Sequence, residues 1–511
     1  LMRLLRSSAA HVLRRSLVAA AYRRTFYGAA ASFADLGLPA EVATALSSAG
    51  LDRPTAVQEQ AIPVLQKLSS SDDGVAGGDR VAVVVAETGS GKTVAYLAPI
   101  AAGLVGPDAA SDRRTWRALV LCPNAALCAQ VRDAARGLFA TDVLDVAVLS
   151  GSAPPRANAA AGERPLPQLA IATPAGLVNH IETYLDERME REFVRSLGHV
   201  VLDEADMLLT GGFDAPVRKI VSLLAHGVTT RRGEQKFSRK DLAKYMGRVL
   251  AHRSPEAQAR TALTFVGATM PMHAVKSAGS VLHSVFPDAR WVRGARAHMG
   301  DPNIEHTWHC IDTDAEQIER VVEAVEGGAE AGAGGEAGAG GDDAMATLVF
   351  CNSVESANRV LTALRARGVD AFAHHREVEP EERMAQLRSI RAGAVDAPPV
   401  LVCTDAAARG IDLPSVGHVV QADFATCAVD FVHRIGRTGR GGRGGRVTSV
   451  WTTAERDLVA FIRRAIDDNV PIDDAFSRRR SFKQRIKRER RAETEAGRGE
   501  GSGRAREAWA A

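Results

Sequence analysis

Short apolar runs punctuate this chain at regular intervals. Between residues 33 and 285 they occur at 81–86, 118–122, 143–149, 169–173, 199–203 and 262–268, rich in β-branched residues. Each has the length of a buried strand, and helical periodicity fills the stretches between them. Strands alternating with helices predict a parallel sheet covered on both faces. The rhythm resumes at 346–351, 369–373, 399–404, 418–422 and 445–451. The expected fold class is therefore α/β: two tandem parallel-sheet domains, 33–285 and 311–474, joined by a short linker over 286–310 that contains Pro302.

Other stretches break the rhythm. Arg3, Arg6, Arg14, Arg15, Arg23 and Arg24 precede the first acid, Asp35, while Leu4, Leu5, Val12, Leu13, Leu17 and Val18 can share one helical face. An arginine-rich, acid-free, amphipathic leader is the pattern of an organelle import signal. Residues 1–32 are thus expected to be a targeting leader; a basic disordered arm is the alternative. Residues 327–343 are almost all Gly, Ala and acid, and read as a flexible insertion. A basic insertion occupies 225–260. The tail, 475–511, opens with Arg478, Arg479, Arg480, Lys483, Arg485, Lys487, Arg488, Arg490 and Arg491 against one acid, Glu489. Such a run is expected to be disordered when free and to attract phosphate without regard to sequence.

Composition changes the picture little. A chain of 511 residues, 46% hydrophobic, can bury several sizeable cores. The net charge is only +3, but basic residues crowd both ends. None of the six cysteines forms a C-x-x-C pair, which argues against zinc and redox motifs. No apolar run reaches the roughly 18 residues of a membrane span, so no membrane partner is expected.

The candidate chemistry sits at strand ends, where open parallel sheets bind ligands. Ala86-Glu87-Thr88-Gly89-Ser90-Gly91-Lys92-Thr93 follows the first run and opens a helix. It fits the phosphate-loop pattern with Ala in place of the first Gly. Converging backbone N–H groups and a helix N-terminus would cradle phosphates. Lys92 would reach the β and γ phosphates and Thr93 would hold Mg²⁺. Asp203 and Glu204 directly follow another strand run. Asp203 would complete the metal site with Thr93, and Glu204 would orient or deprotonate the attacking water. Together these residues specify a nucleoside triphosphate hydrolase.

Asp203-Glu204-Ala205-Asp206 spells the signature of the DEAD-box RNA helicases, and the chain from Phe33 to Asp474 resembles that family. Cys403-Thr404-Asp405-Ala406-Ala407-Ala408-Arg409-Gly410-Ile411-Asp412 and His433-Arg434-Ile435-Gly436-Arg437-Thr438-Gly439-Arg440 carry the resemblance into the second domain. It implies two RecA-like domains, a monomer, ATP and Mg²⁺ as cofactors, and RNA as partner. Phe33 would stack on adenine, with Pro54, Thr55 and Gln58 reading its edge. Arg437 and Arg440 would reach the γ-phosphate as an arginine finger in cis, and Asp412 would also touch ATP. Asp206, Thr269, His433, Arg434 and Gly436 would couple the domains. RNA would lie on Pro123, Thr173 and Pro174 of the first domain and on Asn352, Ser353, Thr404, Arg409 and Gly410 of the second.

Three departures stand out. The family's Ser-Ala-Thr is here Gly267-Ala268-Thr269. Its "PTRELA" is Pro123-Asn124-Ala125-Ala126-Leu127-Cys128, and its "TPGR" is Thr173-Pro174-Ala175-Gly176, so two arginine positions are vacant. The Cys-Pro-Asn variant and the leader resemble a plant and algal organellar branch linked to plastid ribosomal RNA maturation. The expected function is ATP-dependent RNA unwinding or ribonucleoprotein remodelling in a chloroplast or mitochondrion, with pre-ribosomal proteins as partners. The alternatives are an ATP-gated RNA clamp and a DNA translocase of the same superfamily.

Overall fold

The computed structural model describes residues 30, 32–69, 80–105, 117–138, 146–150, 167–210, 212–226, 245–246, 261–272, 277–334, 345–391, 399–408, 416–440, 444–472 and 475. Most of the expected leader, of the 225–260 insertion and of the basic tail lies outside the described residues, as do Arg409, Gly410 and Asp412.

The first lobe is built on strands β1 (Val81–Val85), β2 (Arg117–Leu121), β3 (Val146–Leu149), β4 (Leu169–Ala172), β5 (Leu197–Leu202), β6 (Ala262–Gly267) and β7 (Arg290–Arg293). They pair in the order β3-β4-β2-β5-β6-β1-β7, every pair parallel. β1 is buried along its whole length. Successive side chains of a strand point to opposite faces. Val81, Val83 and Val85 accordingly join one core with Leu202 and Phe265, while Ala82 and Val84 join another with Ile62 and Tyr96.

The second lobe repeats the plan with β8 (Ile304–Ile311), β9 (Ala346–Cys351), β10 (Ala371–His374), β11 (Val400–Thr404), β12 (Val416–Gln421) and β13 (Gly445–Thr452). Their order is β10-β11-β9-β12-β13-β8, again parallel throughout. A core covers each face of this sheet. In the first lobe, β1, β5 and β6 are neighbours, so the segments leaving their carboxyl ends converge.

Two strands fall where the sequence reads as a linker. β7 pairs with β1 from Ala82↔Arg290 to Val85↔Arg293, and β8 already begins at Ile304. The stretch 286–310 is therefore sheet at both ends, and only 294–303 crosses between the lobes. Both are edge strands, half exposed, so they lack the continuous apolar run that marks a central strand. The Gly/Ala stretch also differs from expectation at its start: the helix Asp314–Gly334 runs into it.

The boundary is testable with fragments of the first lobe. Cutting at 285 removes β7 and the buried Val292, a loss of about 1.5–3 kcal/mol. Residues 33–294 should melt roughly 4–8 °C above residues 33–285. Equal melting temperatures would show that β7 adds nothing to the first lobe.

Candidate functional site

The turn from β1 into the helix Lys92–Val105 forms the phosphate loop. Its backbone is left-handed at Gly91, φ 90°, and an added Cβ there would run into the Gln58 amide. The Lys92 ammonium donates to the Ala86 and Glu87 carbonyls at 2.7 Å each. Burial pushes its pKa down, against the pull of Glu204, Asp203 and Glu87. The Ser90 hydroxyl donates to Glu87 O at 2.7 Å.

Thr55 and Gln58 brace this loop from behind. The Thr55 hydroxyl donates to Ser90 O at 2.7 Å, and the Gln58 amide donates to Gly91 O at 3.1 Å. Gln58 Oε1 accepts from Thr55 N at 2.8 Å. Both ends of the Gln58 amide are thus engaged by protein, where the resemblance has it reading adenine. Pro54 is buried beside them. Phe33 is a further difference: it is 2% exposed, inside the same core as Leu38 and Val42, so its ring offers no open face for a base. The gain from burying an aromatic ring accounts for that placement.

At the end of β5, Asp203 is 6% exposed. Its Oδ2 accepts from the Tyr96 hydroxyl at 2.9 Å and its Oδ1 from Glu204 N at 3.0 Å. Burial and the adjacent Glu204 charge push Asp203 up to about 6. Glu204 has φ 52°, a left-handed conformation that a non-glycine residue holds at a cost. A buried carboxylate followed by a second acid, with a hydroxyl-bearing residue in the first turn of the phosphate-loop helix, is a donor set that suits a hard, oxygen-seeking divalent cation. Thr93, Asp203 and their surroundings fit Mg²⁺.

The third acid faces the other lobe. Asp206 Oδ2 accepts a short hydrogen bond from the Thr269 hydroxyl and lies 3.1 Å from His433 Nε2. His433 Nδ1 is 3.7 Å from Glu204 Oε2. Burial opposes the charge on both groups. The hydrogen bond and charge of His433 nevertheless hold Asp206 below its usual value, and those of Asp206 raise His433. Among the described residues Asp206 Oδ1 is buried without a hydrogen-bond partner. A Cβ on Gly267 would lie 3.3 Å from it and 2.9 Å from the Met270 methyl, so Met270 crowds the place where the family's serine would stand and the acceptor beside it stays unsatisfied.

The second lobe also touches the phosphate loop directly. A Cβ on Gly436 would collide with the Thr88 hydroxyl, and the stem of Arg440 lies 3.2–3.4 Å from a Cβ placed on Gly89. Arg440 and Arg437 each spend Nε on the carbonyl four residues back, Gly436 O at 3.1 Å and His433 O at 3.2 Å. A cleft of about 40 Å³ remains between the lobes, lined by Glu87, Thr88, Arg296, His298, Asp301 and Gly436 among others. The structure thus brings Lys92, Thr93, Asp203, Glu204, Asp206, Thr269, His433, Gly436 and Arg440 to one seam.

Arg434 is the exception among the expected coupling residues. It is 1% exposed and works inside the second lobe. It pairs bidentately with Asp405 at 2.6 and 2.7 Å, and donates to Asn352 Oδ1 and Asp423 O at 2.6 Å each. Asn352 is drawn into the same network, donating to Phe424 O at 3.0 Å and from its backbone to Asp423 Oδ2 at 2.7 Å. Arg434 therefore does not face the other lobe, because a buried guanidinium must have its donors filled, whereas Asn352 stays exposed at its edge. Sequence reasoning missed Asp405, Asp423 and Tyr96. The Asp405 signal was available, an acid directly after β11; Tyr96 reads only as core.

The expected RNA residues outside this network stand at strand ends. Pro123 follows β2, Thr173 follows β4, Ser353 follows β9 and Thr404 ends β11. Thr173 and Ser353 cap helices, accepting from Gly176 N and Ser356 N at 3.1 Å each, and Pro174 opens the first of these helices. Gly176 explains one vacant arginine: any Cβ there would collide with Leu149 O.

The Asp206–His433 bridge gives the seam a pH dependence. A raised His433 contributes fully below its ordinary value and is lost as pH rises through its raised one. A lowered Asp206 contributes above its ordinary value and is lost only as pH falls through its depressed one. Lobe closure with a non-hydrolysable ATP analogue and RNA, read by interlobe energy transfer, should be strongest below the ordinary histidine range and weaken as pH rises through the raised value of His433. His433→Gln should flatten that profile; an unchanged profile in the variant would refute the role.

Sequence and structure comparisons agree with this geometry. Residues 55–276 match the family model described as DEAD/DEAH box helicase, and residues 342–442 match the helicase conserved C-terminal domain. The chain is 35% identical over 515 residues to DEAD-box ATP-dependent RNA helicase 22 of Oryza sativa subsp. japonica, covering 90% of this chain and 84% of that protein. The protein of the same description from Arabidopsis thaliana is 33% identical, over 89% of this chain and 83% of its own. Two solved structures share the fold: DEAD-box helicase Mss116 bound to ssRNA and UDP-BeF, TM-score 0.63 at 21% identity over 84% and 76% of the chains, and S. cerevisiae Dbp5 bound to RNA and ADP BeF3, TM-score 0.60 at 20% identity over 87% and 97%. With its two parallel-sheet lobes meeting at the phosphate loop, this chain belongs to the DEAD-box ATP-dependent RNA helicase family.

Proposed function

We propose that the protein hydrolyses ATP between its two lobes and uses their closure to open short RNA duplexes or remodel RNA–protein complexes. The observation that carries this reading is the docking of Gly436 and Arg440 on Thr88 and Gly89 of the phosphate loop. A triphosphate seated on the loop meets the second lobe only when the lobes are closed. Lys92 exchanges its two carbonyl contacts for phosphate oxygens. Glu204, within reach of His433, accepts the proton of the attacking water. Arg440, with Arg437 beside it on the same segment, stabilises charge developing on the phosphate. Bound at Thr93 and Asp203, Mg²⁺ would neutralise phosphate charge. RNA lies along the strand ends Pro123, Thr173, Ser353 and Thr404, held by its backbone. Closure bends it in a way that an A-form duplex does not follow.

A second reading has its own support. The hydroxyl-free Gly267 leaves Asp206 Oδ1 unsatisfied, which weakens the tie between hydrolysis and movement and favours an ATP-gated RNA clamp. An organellar setting, in a chloroplast or mitochondrion with ribosomal RNA as target, rests on the arginine-rich leader and on the resemblance to the plant organellar branch.

RNA-stimulated ATP turnover and strand displacement measured on one preparation test all of this. Lys92→Ala and Glu204→Gln should each lower turnover at least about 100-fold. Retained hydrolysis in both would overturn the site. Brisk hydrolysis without displacement identifies the clamp, and equal stimulation by DNA of matched length would contradict RNA as the substrate.

A further inference from the structure

Tyr96 stands one turn after Thr93 on the helix Lys92–Val105 and is fully buried. By its apolar surroundings it is a core residue, packed with Ile62, Val84 and Val120. Its hydroxyl is not idle. It donates to Asp203 Oδ2 at 2.9 Å across 107 residues of sequence. Thr93 stands three residues earlier, in the first turn of the same helix. Asp203 Oδ1 is meanwhile held by Glu204 N at 3.0 Å. Both oxygens of this expected metal ligand are therefore held by protein donors.

We propose that Tyr96 is a positioning residue of the Mg²⁺ centre, its hydroxyl holding the Asp203 carboxylate so that it stands ready before nucleotide arrives. A phenol suits this task because it packs in an apolar core and still donates one hydrogen bond to a carboxylate. A phenylalanine would fill the same space and donate nothing. Without this hydrogen bond the Asp203 carboxylate keeps only its Glu204 anchor and can rotate about its side-chain bonds. Ordering it again would then be charged against metal binding. Groups that orient ligands in this way typically change metal affinity by about 10–100-fold. The inference rests on the assignment of Thr93 and Asp203 as ligands made above.

Tyr96→Phe in the full-length chain tests it, because the ring and its packing are kept. Binding of a fluorescent non-hydrolysable ATP analogue would be titrated against Mg²⁺, and Mn²⁺ uptake followed by paramagnetic resonance, with a chelator series as the metal-free control. The metal concentration at half-saturation should rise about 10-fold, with analogue affinity in chelator unchanged. Asp203→Asn, run alongside, should abolish the metal dependence. If Asp203→Asn behaves as wild type, the metal assignment fails and the proposal with it. If Asp203→Asn loses the dependence but Tyr96→Phe matches wild type, the proposal alone is refuted. A loss of analogue affinity in Tyr96→Phe that is equal with and without metal marks a packing role and also overturns it.

Discussion

At the seam between the lobes, Asp206 Oδ2 is shared by Thr269 from its own lobe and His433 from the other. Both Asp206 and His433 are largely withdrawn from water. Each makes the charged form of its partner tolerable: burial opposes ionisation of either one, and their pairing reverses that opposition. Breaking a buried pair by removing one member costs about 3–5 kcal/mol. Separating the lobes must therefore rehydrate both groups, and closing them must bring the proton back. A few ångströms away, Gly436 and the Arg440 stem sit on the phosphate loop with no room for a larger side chain at position 436. The catalytic pocket is conditional on this contact, since the acids and the lysine come from one lobe and the arginines from the other.

The second lobe can deliver those arginines because its own loops are fixed. Arg434 gathers the segments after β9, β11 and β12 through Asn352, Asp405 and Asp423. The helix Ala428–Ile435 is thereby tied to its own sheet. The crossing segment is fastened at both ends as well. His298 Nε2 accepts from Met270 N at 3.0 Å in the first lobe, and His298 O accepts from Ile472 N at 2.9 Å in the second. Arg296 adds a bond to Asn469 at 2.8 Å. These contacts flank Thr269, so the linker is tied to the same region that senses His433.

Much of this was legible in the chain. Central strands announce themselves because burial on both faces demands continuous apolar runs, and β1, β5, β6, β9 and β11 did so. The phosphate loop and the Asp203-Glu204 pair were readable because phosphate and metal chemistry tolerates few substitutes at fixed spacing. The edge strands β7 and β8 were not, since half-exposed strands alternate weakly and one of them is only four residues long. Arg434, Asn352 and Tyr96 defeated sequence reasoning for a different reason. Their roles depend on partners 29 to 107 residues away, and no local pattern says whether a polar group faces a ligand or another loop. Phe33 and Gln58 show the reverse: a motif marks the residue, while packing decides where its side chain points.

The dependence of the pocket on lobe docking can be measured at Gly436. In Gly436→Val the new side chain collides with Thr88, leaving Lys92, Asp203 and Glu204 untouched. Interlobe distances by electron–electron resonance should then remain long in the presence of ATP analogue and RNA. ATP turnover on the same sample should fall at least about 100-fold. A variant whose lobes stay apart while turnover remains at the wild-type rate would contradict closure-dependent catalysis.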